Sequence, residues 1–171
     1  MILGKISYLL TFFIIFSILI ETISILAQEN ATYIAELDGS HVSTKVNTNA
    51  TGIAKFIFYQ DLRDPSKDQL MYNVNVSKIK DVTLIKLFSG SEGFNGPDVV
   101  KLPQTVNYEK TGILATGNLT TNDKFMNEIG GKGEYALEVL KDYLDSHRVY
   151  IVIYTKEYPE GEIRGQIHRI S

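Results

Sequence analysis

The sequence predicts an all-β domain with one or two short helices, in the form of a Greek-key-like antiparallel β-sandwich or barrel. Seven or eight short apolar stretches recur along the chain, and turn signals separate them at intervals of about 8–12 residues. The clearest stretch covers 149–154, where apolar side chains occupy both faces of the predicted strand. A strand of that kind is typically buried on both sides of a sheet.

The other predicted strands show the two-residue alternation of a half-buried sheet. Over 70–79, Tyr72, Val74 and Val76 alternate with polar residues, which indicates one buried face and one wet face. Over 52–59, Phe56 and Phe58 share one face and face away from Ile53. The full set of predicted strands is 32–37, 52–59, 70–79, 82–88, 99–102, 113–119 and a closing hairpin over 149–167.

Turn-forming residues and a helical segment connect these strands. Tyr158-Pro159-Glu160-Gly161 suits a type I turn, because proline presets φ at the second position and glycine stands at the fourth. We predict connections over 40–51 and 61–68 and a Gly-rich loop over 89–97. A short helix is expected to begin at one of three capping residues, and apolar residues at helical spacing over 135–144 predict a second helix. The capping candidates are Thr121, Asn122 and Asp123.

Residues 1–27 form a targeting segment, and residues 30–171 form the predicted domain. Lys5 precedes an uncharged apolar run over 6–20, and the small Ala27 stands at a candidate cleavage point. The segment is either a cleaved signal peptide or an uncleaved membrane anchor. Both alternatives predict that the domain is exported, either extracellular or held at the cell surface.

Four Asn-x-Ser/Thr sequons agree with export. Asn30, Asn49 and Asn118 are the candidate glycosylation sites, whereas Asn75 falls in the middle of a predicted strand and is the least expected site. We therefore predict a secreted or membrane-anchored glycoprotein.

The composition narrows the range of functions. The formal net charge is −3 and no dense run of Lys or Arg occurs, so nucleic acid is not an expected partner. The absence of Cys excludes disulfides, thiolate metal ligands and a cysteine nucleophile. No Gly-x-Ser-x-Gly motif is present, and no spacing singles out a carboxylate pair. We accordingly predict no catalytic residue and no cofactor.

A series of motifs resembles the CHRD domain family, which was first named from chordin. The order is Ala35-x-Leu37-x-Gly39, then Gly93-x-Asn95-Gly96-Pro97, and finally a closing Gly161-Glu162-Ile163-Arg164-Gly165-Gln166. The closing motif is the specific one, and the resemblance covers about residues 30–170. It implies an extracellular all-β domain, a Greek-key sandwich, with binding as its general role.

The closing motif contains the sharpest pair of polar residues in the chain. Glu162 and Arg164 stand at i and i+2 on the returning strand, with Gly161 and Gly165 beside them and Gln166 after them. The pair can grip an anionic ligand, or it can fix the last strand by an internal salt bridge or a backbone clamp. We favour the structural role, because buried charges need partners and the glycines suggest close backbone packing.

The resemblance also exposes one departure. Many family members carry a His-x-His pair before the Gly-rich loop and a further His before the Tyr-Pro turn, and this chain has Lys86, Phe88 and Tyr154 at the matching positions. A metal site at those histidines would therefore be lost here. The three histidines of this chain are widely separated in sequence and are expected at the surface: His41, His147 and His168.

Taken together, the residues and the resemblance predict an exported CHRD-type protein that is a non-catalytic binding or structural module at the cell surface. Its expected partner is an extracellular protein or a glycan, with the membrane added if the leader is uncleaved. The alternative is a metal-dependent redox enzyme that uses Cu or Zn.

Overall fold

The computed structural model describes residues 28–103, 109–121, 123 and 136–171. The leader over 1–27 lies outside the described residues. A cleaved signal peptide and an uncleaved membrane anchor therefore both stay predictions. Within the described ranges, no helix combines the length and the apolar character needed to cross a membrane.

Nine strands and one α-helix make up the described fold, which is more strands than the seven or eight predicted. The strands are β1 (Gln28–Asp38), β2 (Thr51–Asp61), β3 (Gln69–Lys80), β4 (Val82–Ser89), β5 (Asp98–Leu102), β6 (Glu109–Thr120), β7 (Val149–Thr155), β8 (Ile163–Gln166) and β9 (His168–Arg169). The helix, α1, covers Ala136–Asp145, as the helical spacing predicted. Of the candidate caps, Thr121 and Asp123 lie just after β6 among the described residues, whereas Asn122 and residues 124–135, where the predicted first helix would continue, lie outside them.

The strands form one antiparallel sheet that curves into a nearly closed barrel. Its order is β5-β4-β7-β8-β1-β2-β3-β6, and β9 pairs with β1 beside β8. All neighbouring strands are antiparallel, and β1, β2 and β3 form a meander before the chain crosses from β3 to β4. The all-β prediction is therefore confirmed.

The core forms because alternate residues on each strand point to the inside of this curved sheet. Tyr72, Val74 and Val76 on β3 are nearly fully buried, and Phe56 and Phe58 on β2 are completely buried. These five side chains are the ones that the alternation assigned to buried faces. Burying each large apolar side chain contributes about 1.5–3 kcal/mol, so this alternation supplies much of the driving force for folding.

Strand β7 differs because both of its faces are covered. Six of its seven residues are buried, as the continuous apolar run predicted. Its inner face, with Ile151 and Ile153, belongs to the core, and its outer face carries Tyr150 and Val152 beneath surface loops. The covered outer face of β7 is where the candidate site lies.

Candidate functional site

The outer face of β7 carries a stack of two aromatic rings and a guanidinium. Tyr150 on β7 pairs with Phe88 on β4, and their rings are nearly parallel with centres 5.2 Å apart. On the side of β8, the guanidinium carbon of Arg164 lies 3.7 Å from the centre of the Tyr150 ring. Tyr150 is thereby held between an aromatic ring and a cation, and both contacts are stabilising.

Arg164 also joins two surface loops to β8. Its side chain is buried, and its Nη2 donates to the carbonyl oxygen of Phe94 at 2.7 Å. Its Nη1 donates to Oδ1 of Asn95 at 2.8 Å, and the Ser43 hydroxyl donates to the same oxygen at 2.7 Å. Phe94 and Asn95 belong to the glycine loop, residues 89–97, and Ser43 belongs to what we call the cleft loop, residues 42–50. These contacts form a clamp that holds both loops.

Glu162 and Arg164 are directed to different partners rather than to each other. Oε1 of Glu162 accepts a hydrogen bond from the Thr48 hydroxyl at 2.7 Å, which fixes the far end of the cleft loop. Of the alternatives that the sequence left open, the contacts agree with a backbone clamp and not with an internal salt bridge. Buried Glu162 and Arg164 each gain a protein partner, as buried charges require.

The neighbouring residues of the motif serve the same close packing. Gly161 has a φ of +115° and donates its N–H to the Tyr158 carbonyl oxygen at 3.1 Å, which closes the predicted turn. A Cβ at Gly165 would collide with the backbone oxygen of Glu36 on β1. Gln166 donates from Nε2 to the carbonyl oxygens of Gly90 and His147, while its buried Oε1 has no hydrogen-bond partner among the described residues. Gly161, Gly165 and Gln166 thus each lie close to backbone atoms of neighbouring segments.

The two loops and the outer face of β7 enclose an open cavity of about 790 Å³, which we call the aromatic cleft. Its distinctive lining is a set of four aromatic side chains from β4, β7 and the turn that follows: Phe88, Tyr150, Tyr154 and Tyr158. The cleft loop forms the opposite wall, and the Tyr158 hydroxyl donates to the carbonyl oxygen of Asn47 at 3.3 Å. The cleft was not predicted, since no local pattern places residues 42–50 over β7.

The cleft also carries polar groups beside the aromatic rings, and these include both positively and negatively charged side chains. Burial raises the pKa of Tyr154 to about 12, with smaller contributions from the neighbouring phenol of Tyr150 and the carboxylates of Glu160 and Asp98. The Tyr154 hydroxyl consequently stays protonated at neutral pH and can donate a hydrogen bond. Lys45, Glu157 and Glu160 also line the cavity and can bond to a ligand.

The three positions at which the family resemblance places histidines lie together in this structure. Lys86 and Phe88 follow each other at i and i+2 on β4, and Tyr154 stands on the neighbouring strand, where its ring centre is 6.4 Å from that of Phe88. Lys86 Nζ pairs with Asp98 Oδ2 at 2.8 Å. A paired ammonium, a phenyl ring and a protonated phenol offer a transition metal no ordinary ligand, so these residues do not fit a Cu or Zn site.

The histidines and the sequons are at the surface. His147 and His168 are brought together, with ring centres 5.4 Å apart. The four sequon asparagines all have exposed side chains: Asn30, Asn49, Asn75 and Asn118. Nδ2 of Asn118 donates to Gln69 Oε1 at 2.9 Å, so a glycan on Asn118 would compete with that bond.

Comparison with protein families matches residues 33–167 to the CHRD domain. The chain belongs to the CHRD domain family. Comparisons with curated proteins and with solved structures give no match. The CHRD match extends from β1 to Ile167, so both the Arg164 clamp and the aromatic cleft lie inside it.

Proposed function

We propose that this CHRD domain is an exported, non-catalytic binding module that holds a glycan in the aromatic cleft. The single observation that carries the proposal is the cleft itself: an open cavity of about 790 Å³ with four aromatic side chains in its wall. Ligand sites are typically concave and aromatic, with a few polar groups that set the ligand's orientation.

The chemistry of the cleft favours a sugar chain. The C–H face of a sugar ring is apolar and packs on aromatic rings, and Phe88, Tyr154 and Tyr158 are partly exposed to receive it. Sugar hydroxyls both donate and accept, so they can bond to Glu157 and to the protonated Tyr154 hydroxyl. The cavity is open rather than enclosed, which leaves room for the sugars that flank the bound unit.

The alternative, a metal-dependent redox enzyme, receives less support from the same residues. The cluster of Lys86, Phe88 and Tyr154 supplies no imidazole, and the high pKa of Tyr154 opposes a phenolate ligand. A binding role needs only the shape and the chemistry that the cleft already has.

Export is part of the proposal and draws its support from the sequence. The apolar leader over 1–27 is either a signal peptide or an anchor, and the sequons at Asn30, Asn49 and Asn118 have exposed side chains that a glycosyltransferase can reach. A cleft facing the cell exterior would meet envelope polysaccharide.

Retention on immobilised envelope polysaccharide tests the function. The full chain, purified in detergent, should be retained, and Tyr154→Ala should weaken retention about tenfold, since it removes a ring and a donor from the cleft wall. Met71→Ala is the matched control, because Met71 is exposed on β3 and away from the cleft. Circular dichroism verifies that both variants are folded.

The outcomes separate the candidates. Retention that Tyr154→Ala weakens and Met71→Ala leaves unchanged supports a glycan site. Binding that survives removal of the polysaccharide and is abolished by protease treatment of the envelope indicates a protein partner and overturns the proposal. A transition metal bound stoichiometrically at Tyr154 with redox turnover favours the enzyme.

A further inference from the structure

Two of the three histidines meet on the surface at a distance from the aromatic cleft wall. His147 lies two residues after Asp145, the last residue of α1, and His168 lies in β9. Both side chains are exposed, and the ring centres are 5.4 Å apart with the planes tilted by 45°. The two histidines are 21 positions apart in the sequence, so no local pattern predicted the meeting.

The backbone of each histidine is held by a different part of the fold. His147 has a φ of +55° at the helix end, its N–H donates to Leu144 O at 3.1 Å, and its carbonyl oxygen accepts from Gln166 Nε2 at 2.7 Å. His168 pairs with Ile34 of β1. Glycine or asparagine is favoured at such a helix end, so histidine at position 147 adopts a backbone conformation that is unfavourable for it.

The separation of the rings is close to that of two imidazoles on a single metal ion. Metal–nitrogen bonds to imidazole are about 2.0–2.1 Å long, so the ring centres are about 5.2 Å apart on a tetrahedral ion and about 4.5 Å apart at adjacent positions of a square-planar ion. The observed separation is 5.4 Å, and both side chains are exposed, so rotation about their side-chain torsions can turn one nitrogen of each ring towards a shared ion. We propose that His147 and His168 form a surface site for a borderline divalent transition ion, with Cu²⁺ bound most tightly.

The two arginines next to the histidines are engaged in contacts of their own. The guanidinium of Arg148 lies over the Tyr143 ring, 4.6 Å from its centre, and that of Arg169 pairs with Asp145 at 3.1 Å. Among the described residues, no group of three or more His, Cys, Asp and Glu side chains gathers as a metal site. Two imidazoles therefore hold the ion, and water occupies its other positions.

The site is independent of the glycan proposal, because none of the cleft aromatics contributes to it. It also differs from the positions of the family's histidines, which Lys86, Phe88 and Tyr154 occupy here. A dihistidine site with open positions binds its metal reversibly and can accept a further donor from outside the chain.

Titration of the full chain with Cu²⁺ tests the proposal. The protein is purified without a histidine tag, binding is followed by calorimetry, and pulsed electron paramagnetic resonance counts the coordinated imidazoles. We expect one ion with two imidazoles. His147→Asn and His168→Gln should each leave at most one imidazole and weaken binding at least tenfold. Asparagine is chosen at position 147 because it tolerates a positive φ.

His41→Gln is the matched control. His41 is also exposed, but it pairs with Asp38 at 2.9 Å, and in the described part of the chain no ring contact joins it to another imidazole. Unchanged two-imidazole binding in this variant supports the assignment to His147 and His168. A wild-type signal with fewer than two coordinated imidazoles overturns the proposal. A two-imidazole signal that neither His147→Asn nor His168→Gln changes also overturns it. Thermal melting of each variant verifies that the loss does not reflect unfolding.

Discussion

The guanidinium of Arg164 covers the face of Tyr150, with 3.7 Å between the guanidinium carbon and the ring centre. The same guanidinium bonds to the carbonyl oxygen of Phe94 and to Asn95 in the glycine loop. One side chain of the closing motif therefore determines both the position of an aromatic ring in the cleft and the path of a loop beside it. Through these contacts the motif shapes the candidate site.

Replacing Arg164 by lysine tests this clamp. Lysine keeps the charge but lacks the planar guanidinium group with its several N–H donors, so it cannot stack on Tyr150 and bond to two loop oxygens at once. We expect Arg164→Lys to lower the free energy of unfolding by about 2 kcal/mol. Arg148→Lys, at the exposed guanidinium over Tyr143, should cost less than about 1 kcal/mol. Urea denaturation of both variants measures the difference, and equal costs would contradict the clamp.

Gly165 is a position at which β8 lies close against the backbone of β1. A Cβ there would collide with the backbone oxygen of Glu36, which cannot rotate away as a side chain can. We expect Gly165→Ala to lower the free energy of unfolding by about 3 kcal/mol or to prevent folding. At Gly93, where φ is +79° but no atom lies within 4 Å of a Cβ, alanine should cost about 1 kcal/mol. Thermal melts compare the two, and a mild effect at Gly165 would rule out the close approach.

Asp145 should make stability depend on acid pH. Burial raises the pKa of Asp145, but hydrogen bonds from Lys141 and Tyr33 and the charge of Arg169 outweigh burial and hold the pKa below its usual value. A lowered folded-state pKa means that the contribution is complete above the unfolded pKa of about 4 and is lost as pH falls through the folded pKa.

Asp145→Asn should therefore cost about 1 kcal/mol at pH 7 and progressively less as the pH falls below the unfolded pKa of about 4. Asp142→Asn, which changes an exposed carboxylate on the same helix, is the control. Its stability should depend on pH in the same way as that of the wild type. Denaturation series from pH 7 to pH 2 measure both variants. A deficit for Asp145→Asn that persists at pH 2 would show that the charge of Asp145 is not its source.

The proximity of Lys86, Phe88 and Tyr154 predicts a gain of metal binding. The triple variant Lys86→His, Phe88→His and Tyr154→His would place three imidazoles on one face of β4 and β7, a donor set that suits Zn²⁺. In a background that carries His147→Asn and His168→Gln, we expect one Zn²⁺ per chain by calorimetry. The Phe88→His single variant is the control. Three imidazoles that fail to bind Zn²⁺ in a folded variant would show that the positions do not converge.

Much of the fold followed from local periodicity. The alternation at Tyr72, Val74 and Val76 predicted the buried face of β3, and the unbroken apolar run predicted that β7 is covered on both faces. Helical spacing predicted α1 within about one residue of its bounds. These predictions succeed because the pattern and the burial that it reports lie within one element.

The site depended on contacts that sequence spacing does not record. Arg164 meets the glycine loop across about 70 positions of sequence, and Thr48 meets Glu162 across 114. The salt bridge between Glu162 and Arg164 was a reasonable expectation from i, i+2 spacing, but each residue found a partner in a loop that packs on β8. Only the folded chain shows that residues 42–47 form a wall of the cleft.

Chemical-shift mapping with oligosaccharides released from the envelope tests the central claim most directly. The account predicts that the largest saturable shifts occur at Phe88, Tyr154 and Tyr158 around the aromatic cleft. Shifts centred instead on the exposed outer face at Ile53, Met71 and Ile113, with the cleft aromatics unaffected at saturation, would contradict it.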